Sequence, residues 1–554
     1  MAGPALAAVL AASLIGGGNG LAGIAKLQDQ LATAGAASFS KEKKKERAPG
    51  LLGGCAGYEC VERYIDLPDS AYAWHELPGE LRRGVFEGVA WRGHVLELTS
   101  QRWLGANDTS RQVWTHPLVV VVPENLDTET PKVKEWATLI VGGAQLPYTA
   151  GATGPDVDAA VYMAVRTRAV AAALLQVPNQ PLSFAADPTG VLGMEDTIKA
   201  FTWRYFEDHK TPEWLIELPN AKAAARAMDA LAEFTSAAAP GLGLGAVRRF
   251  GVAGCSKRAN AAMMVCAHDP RCELLLPCSM SMSTPKVLEL QVQSLGNPAM
   301  AMSDYFRNNI FGVADAPDTP DLFNIVDSSN YSHRLTMPKL WLNAASDDFF
   351  FPDHTSFFWS GLPGPKYLFQ KENSLHVGTL DTSNFLPPAA AFTNAVLLDK
   401  PLPEVDWSID DATGDIIASR REGEAPIAAT VWSARTCSAS PRRDFRKMTA
   451  DQGPECTRCG VQVTPFLCNI TRSTQWSKRE ELDASSSSWR VRVVAPSKGW
   501  EAFFVTFEFS PPRPGSDPLS VSTGVSIVPF GRLPFPECHG AACHGTRLAL
   551  AATS

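Results

Sequence analysis

Two short apolar runs constrain the fold most: Pro117-Leu118-Val119-Val120-Val121-Val122 and Ala137-Thr138-Leu139-Ile140-Val141. Neither alternates polar with apolar residues, so neither can leave one face in water. A strand apolar on both sides belongs in a sheet covered by helices on both faces, the usual condition of parallel strands. Helical segments follow at the right places. Asp156 to Ala173 is Ala-rich and opens with acidic residues, and Lys222 to Phe234 repeats that character. Further strands are expected at Arg249 to Gly254 and at Leu340 to Ala344, the latter introduced by Met337-Pro338. Strand–helix alternation from residue 60 to about residue 405 places the chain in the α/β class, with a mostly parallel sheet.

After about Pro403 the texture changes. Ile427 to Trp432, Trp489 to Val494 and Ala502 to Phe509 are short β-type runs separated by Gly, Pro and Ser. A C-terminal β-sandwich-like domain is the natural expectation. The chain thus divides into a leader and linker (1–54), an α/β domain (55–405), a β-rich domain (406–530) and a tail containing Cys and His (531–554). Hydrophobic residues make up 45% and charged residues 19%, which excludes a mainly disordered chain. The 50 basic and 58 acidic residues give a net charge of −8, against binding to nucleic acid.

The longest apolar run, Ala5 to Ile15, is too short to span a bilayer, so no integral membrane segment is expected. It resembles the apolar region of a signal peptide, although no basic residue precedes it and no clean small-x-small cleavage site follows. The charge run Lys41 to Arg47 fits a solvated linker; a nuclear-localisation role conflicts with the apolar leader. Leader, twelve cysteines and three Asn-x-Ser/Thr sequons (Asn107, Asn330, Asn469) together point to secretion.

The most informative stretch for chemistry is Phe250-Gly251-Val252-Ala253-Gly254-Cys255-Ser256-Lys257-Arg258-Ala259. A strand leads into it and an Ala/Met-rich helix leaves it. That is the context of a nucleophile elbow, in which a serine sits on a strained turn between strand and helix. Gly254 and Arg258 occupy the two glycine positions of G-x-S-x-G, so Arg258 breaks the pattern. The alternative is a plain helix start capped by Ser256. The backbone N–H of Lys257 would face a developing oxyanion at the positive end of the helix.

A hydrolase serine needs an acid and then a histidine after later strands. Asp347 follows the strand Leu340 to Ala344, and His376 follows a strand at Lys366 to Phe369. His333 precedes the acid strand and His354 comes directly after the acid loop, so both rivals are out of place. The turn Gly142-Gly143-Ala144-Gln145 follows an early strand, where the N–H of Gly143 would supply a second oxyanion donor. Neither phosphate-binding glycine pattern is present there.

Lys257 and Arg258 beside the nucleophile suggest binding of an anionic substrate group through Arg258, unless both side chains turn away to pair with acidic residues. The cysteines fall into even-numbered groups, which permits local pairing. Cys255 is expected as a small buried side chain pointing away from the elbow apex. Cys456, Cys459 and Cys468 resemble part of a zinc knuckle, with Cys437 as a possible fourth ligand. Cys538-His539 with Cys543-His544 suggests metal or haem attachment, but the spacing is not C-x-x-C-H. In an exported chain, disulfides are the expected state of these cysteines, with no metal and no cofactor.

Ordered matches from residue 60 to 405 resemble the PhoPQ-activated pathogenicity-related protein family. They include Leu98 to Trp103, Gln176 to Pro181, Glu195-Asp196 with Ala200 to Trp203, Gly254 to Arg258, and Asp347 to Asp353. The resemblance implies an α/β-hydrolase fold with a carboxy-terminal β domain, export, and a catalytic set of Ser256, Asp347 and His376. Ala259 departs from the family's glycine, while the Asn-x-x-His spacing is kept from Asn373 to His376. The expected function is a serine hydrolase acting on a peptide or ester. The rival is a secreted signalling or binding protein on a hydrolase fold, meeting a protein or receptor partner through its β domain. A metal-binding redox protein is a third reading, resting only on the tail cysteines.

Overall fold

The computed structural model describes residues 52–143, 154–242, 245–314, 320–376, 384–421, 423–449, 458–464, 467–470, 474–537 and 539. The apolar leader, Ala144, Gln145, Cys456, Cys538 and Cys543 lie outside the described residues.

Ten strands form the main sheet: β1 (Ala73–Glu76), β2 (Arg82–Phe86), β3 (Val89–Arg102), β4 (Val113–Pro123), β5 (Trp136–Val141), β6 (Val170–Leu174), β7 (Arg249–Cys255), β8 (Cys272–Cys278), β9 (Lys339–Ala344) and β10 (Lys366–Lys371). Their order is β1-β3-β4-β6-β5-β7-β8-β9-β10, with β2 beside β3. From β6 to β10 every pairing is parallel, and β4 runs antiparallel to both of its neighbours. Every residue of β5 is buried. Leu139 packs into one core layer and Ile140 into the other, because successive side chains leave opposite faces of a strand.

The segment expected as one helix from Asp156 to Ala173 divides in two. The helix Pro155–Thr167 ends at Arg168, which takes a left-handed conformation with φ 54°. β6 then begins at Val170 and slots between β4 and β5. Alanine is a poor strand former, yet Ala171, Ala172 and Ala173 are fully buried there. Position in the sheet overrides propensity.

Eleven further strands follow. They are β11 (Val405–Ile409), β12 (Ile416–Arg420), β13 (Ala428–Arg435), β14 (Met448–Thr449), β15 (Val461–Thr464), β16 (Leu467–Asn469), β17 (Ser477–Glu481), β18 (Ser488–Val491), β19 (Glu501–Phe509), β20 (Leu519–Ser522) and β21 (Ser526–Val528). β11-β12-β18 make one sheet and β17-β13-β19-β20 another, with β21 beside β19. Ile416, Ala418, Trp489 and Val491 of the first share a core with Val431, Phe503, Val505 and Phe507 of the second. The Trp489 and Phe507 rings lie 4.8 Å apart between centroids. This sandwich does not stand apart: Leu340 and Leu342 of β9 belong to the same core.

The sandwich also holds the loop after β10. Asn373 Nδ2 donates to Trp476 O at 2.7 Å, and Trp476 N donates back to Asn373 Oδ1 at 3.0 Å. Trp476 Nε1 donates to Ala345 O at 3.1 Å, so one tryptophan ties together the loops that follow β9 and β10.

Candidate active site

Ser256 sits between β7 and the helix Lys257–His268 with φ 56° and ψ −128°, a strained conformation for a side chain other than glycine. Two features hold it there. Ser256 N donates to Cys278 O at 2.8 Å. A Cβ on Gly254 would come within 2.4 Å of Arg258 O, so only glycine fits inside the turn. The break at Arg258 is harmless, because its side chain leaves the elbow toward Val177 and Glu195. Cys255 is half-buried rather than fully buried, and it forms a disulfide with Cys278, its register partner on β8. Adjacent strand ends place the two Cα atoms 4.4 Å apart, close enough for a bridge.

Asp347 follows β9. Its Oδ1 accepts from Phe349 N at 2.7 Å and Phe350 N at 3.1 Å, which fixes the carboxylate plane. Its Oδ2 lies 2.8 Å from His376 Nδ1. His376 follows β10, and Ser346 N donates to Ser374 O at 3.1 Å, joining the acid loop to the histidine loop. His376 Nε2 lies 3.0 Å from Ser256 Oγ. The carboxylate can only accept, so Nδ1 carries the proton and Nε2 is left to accept from the serine hydroxyl. The Phe349 and Phe350 rings pack on the imidazole with centroids 4.5 and 5.8 Å away, shielding it from water. His333 is exposed, and His354 is buried between Phe350 and Phe358. Burial pushes the His354 pKa down to about 4, so that ring stays neutral.

Burial alone would lower the pKa of His376. The Asp347 carboxylate, by charge and hydrogen bond, and then the Asp348 charge reverse this and hold the imidazole above its ordinary value. Asp348 itself is pushed up to about 6, first by burial and then by the Asp347 charge. A base that must be neutral gives activity that rises as pH passes through its pKa. The acid limb of kcat/KM is therefore expected above the ordinary histidine value of about 6.5. Asp348→Asn removes a negative charge that favours imidazolium and moves that limb to lower pH. An unmoved limb in a pH–rate profile of the variant would contradict the electrostatic assignment.

Beside the serine lies a compensated charge cluster. Arg258 donates from Nη1 and Nη2 to Glu195 at 2.8 and 2.5 Å, and from Nε to Val177 O at 2.6 Å. Lys257 Nζ reaches Asp196 Oδ2 at 3.0 Å and Glu195 Oε2 at 3.1 Å. Tyr305 donates to Asp196 Oδ1 at 2.7 Å. Burial would raise the Glu195 carboxyl, but the Arg258 and then the Lys257 charges hold it well below the usual carboxylate range. The expectation that Arg258 binds an anionic substrate is thereby corrected: its charge is spent on Glu195. Gly143 is corrected too. Its N–H donates to Asp156 Oδ2 at 3.1 Å, so it is not aimed at an oxyanion. The Arg258 guanidinium packs so closely on Gly143 that a Cβ there would lie 2.0 Å from Nη2. Arg258 thus braces the Gly142–Gly143 turn from below. The N–H of Lys257 keeps its expected place in the first helical turn, where donors lack intrahelical carbonyls.

Glu195, Asp156 and Tyr305 carried no role in the sequence reading, and no local pattern could have given one. They reach the elbow from separate elements, Glu195 across 63 residues.

Disulfides also join Cys55 to Cys60, Cys266 to Cys272 and Cys437 to Cys459. Cys437 and Cys459 are therefore not zinc ligands. Among the described residues, no group of three or more His, Cys, Asp or Glu side chains is placed to hold a metal ion. Nor is any described helix long and apolar enough to cross a membrane.

The eight-strand run β3-β4-β6-β5-β7-β8-β9-β10, with a strained serine after its central β7, defines an α/β-hydrolase fold. The chain belongs to the PhoPQ-activated pathogenicity-related protein family, whose profile matches residues 63–446. It is 28% identical over 491 residues to autocrine proliferation repressor protein A of Dictyostelium discoideum, covering 86% of this chain and 92% of that one. Among solved structures it is similar to an acetyl xylan esterase from Paenibacillus sp. R4, at TM-score 0.38 and 14% identity, covering 58% of this chain and 87% of that one. A glucuronoyl esterase from Solibacter usitatus is similar at TM-score 0.37 and 10% identity, covering 64% and 98%.

Proposed function

We propose that the protein is an exported serine hydrolase that cleaves an ester or peptide through an acyl-enzyme. The observation that carries this is the unbroken chain from Ser256 Oγ through the His376 ring to Asp347, at 3.0 and 2.8 Å. His376 Nε2 takes the hydroxyl proton as Oγ bonds to the carbonyl carbon, and the carbonyl π pair moves onto oxygen. The Lys257 N–H donates to that oxyanion. Collapse of the intermediate breaks the bond to the leaving group, which takes the proton from His376. Water then repeats the sequence and frees Ser256. Asp347 keeps the imidazole in the required tautomer and stabilises its charge. The disulfides support export, since such bonds persist in oxidising compartments. Treatment with a fluorophosphonate probe is expected to label the native chain and not Ser256→Ala; equal labelling of both would refute the proposal.

A second reading is favoured by one finding, the name of the Dictyostelium relative, a repressor of proliferation. In that reading the fold carries a signal through the β-rich region to a protein or receptor partner. Full biological effect of Ser256→Ala would favour it.

A further inference from the structure

A small cavity opens directly on the nucleophile. It measures about 40 Å³ and is lined by Ser256 and Lys257 together with Met280, Leu288, Phe349 and Phe350. His376 does not line it, although the leaving group has to meet His376 Nε2 to collect its proton. With His376 left to the leaving group, the cavity is left to the acyl substituent, between Ser256 and the Phe349 and Phe350 rings. A water-sized sphere needs roughly 10–15 Å³ of such volume, so the space holds about three small heavy atoms. That suffices for the chain of an acetyl, propionyl or butyryl group. A peptidyl group, with a side chain and a further amide on its α-carbon, exceeds it.

The walls also select against charge. Lys257 already faces Asp196 and Glu195. Lys199, which lines the same space, lies 3.4 Å from Glu217 and 4.7 Å above the Trp203 ring. A carboxylate on the acyl group would find no free cation among the described lining residues, and burying an unpaired charge is costly. Resting on the serine hydrolase reading above, we infer that the substrate is an ester of a short, uncharged acyl group. Leu288, from the helix Thr284–Leu295, and Met280 are apolar walls of the space that would hold it.

The test is kcat/KM on p-nitrophenyl acetate, propionate, butyrate, hexanoate and octanoate, alongside a peptide library and fluorophosphonate labelling. The expected profile is highest at acetate to butyrate and falls at least about tenfold by hexanoate, as misfitting methylenes cost in a small apolar pocket. Leu288→Ala raises the hexanoate-to-acetate ratio about tenfold; Met280→Ala is the second variant should the first fail to fold. A profile that is flat or rises with length overturns the inference, as does faster cleavage of peptides. With Ser256 still labelled, either result removes the acyl preference and leaves the hydrolase reading intact. Absence of both labelling and turnover removes both.

Discussion

Ser256→Ala is expected to lower turnover by roughly 10⁶-fold while leaving the protein folded. The loss is large because serine and histidine act as one unit: without Oγ, His376 has nothing to deprotonate and no acyl-enzyme forms. Stability is expected to hold, because among the described residues the side chain makes no hydrogen bond other than that to His376. Alanine must still adopt φ near 56°, so the strain at the elbow stays as it was. Turnover of a short-chain ester by purified variant and native protein gives the comparison. A loss under tenfold would place the chemistry elsewhere.

The second large effect is on stability. Arg258→Ala is expected to cost about 3 kcal/mol, at the lower end of what breaking a buried pair costs. The lower end applies because the Glu195 side chain keeps 31% of its surface, while Arg258 keeps 13%. The loss has three parts: the two bonds to Glu195, the bond to Val177 O, and the brace beneath Gly143. Arg258→Lys does not restore it, since an ammonium cannot make the forked contact of a guanidinium. Urea unfolding with an unchanged m-value would measure the shift, and a change under about 0.5 kcal/mol would contradict this role.

Much of this fold was legible in the chain. β4 and β5 announced themselves as apolar runs, β7 was expected from Arg249 to Gly254, and the Gly254 to Arg258 segment gave away the elbow through its strand-to-helix context. β6 was hidden, because three alanines in a row read as helix until neighbouring strands claim them. The positions of Asp347 and His376 were legible from the order of strands alone. The electrostatics were not. The sequence left open whether Lys257 and Arg258 meet a substrate anion or pair with acidic residues, because Glu195 and Asp196 approach from a helix start some sixty residues earlier, a proximity that only the folded sheet creates. The place of Trp476 between the acid and histidine loops was equally invisible, since it joins strands of the sandwich to loops of the sheet.

Peptide mapping after reaction with a fluorophosphonate locates the nucleophile. One adduct is expected, on Ser256, formed quickly by the native chain and at least about a thousandfold more slowly by His376→Ala. An adduct on another residue, or equal rates in the two proteins, would contradict it.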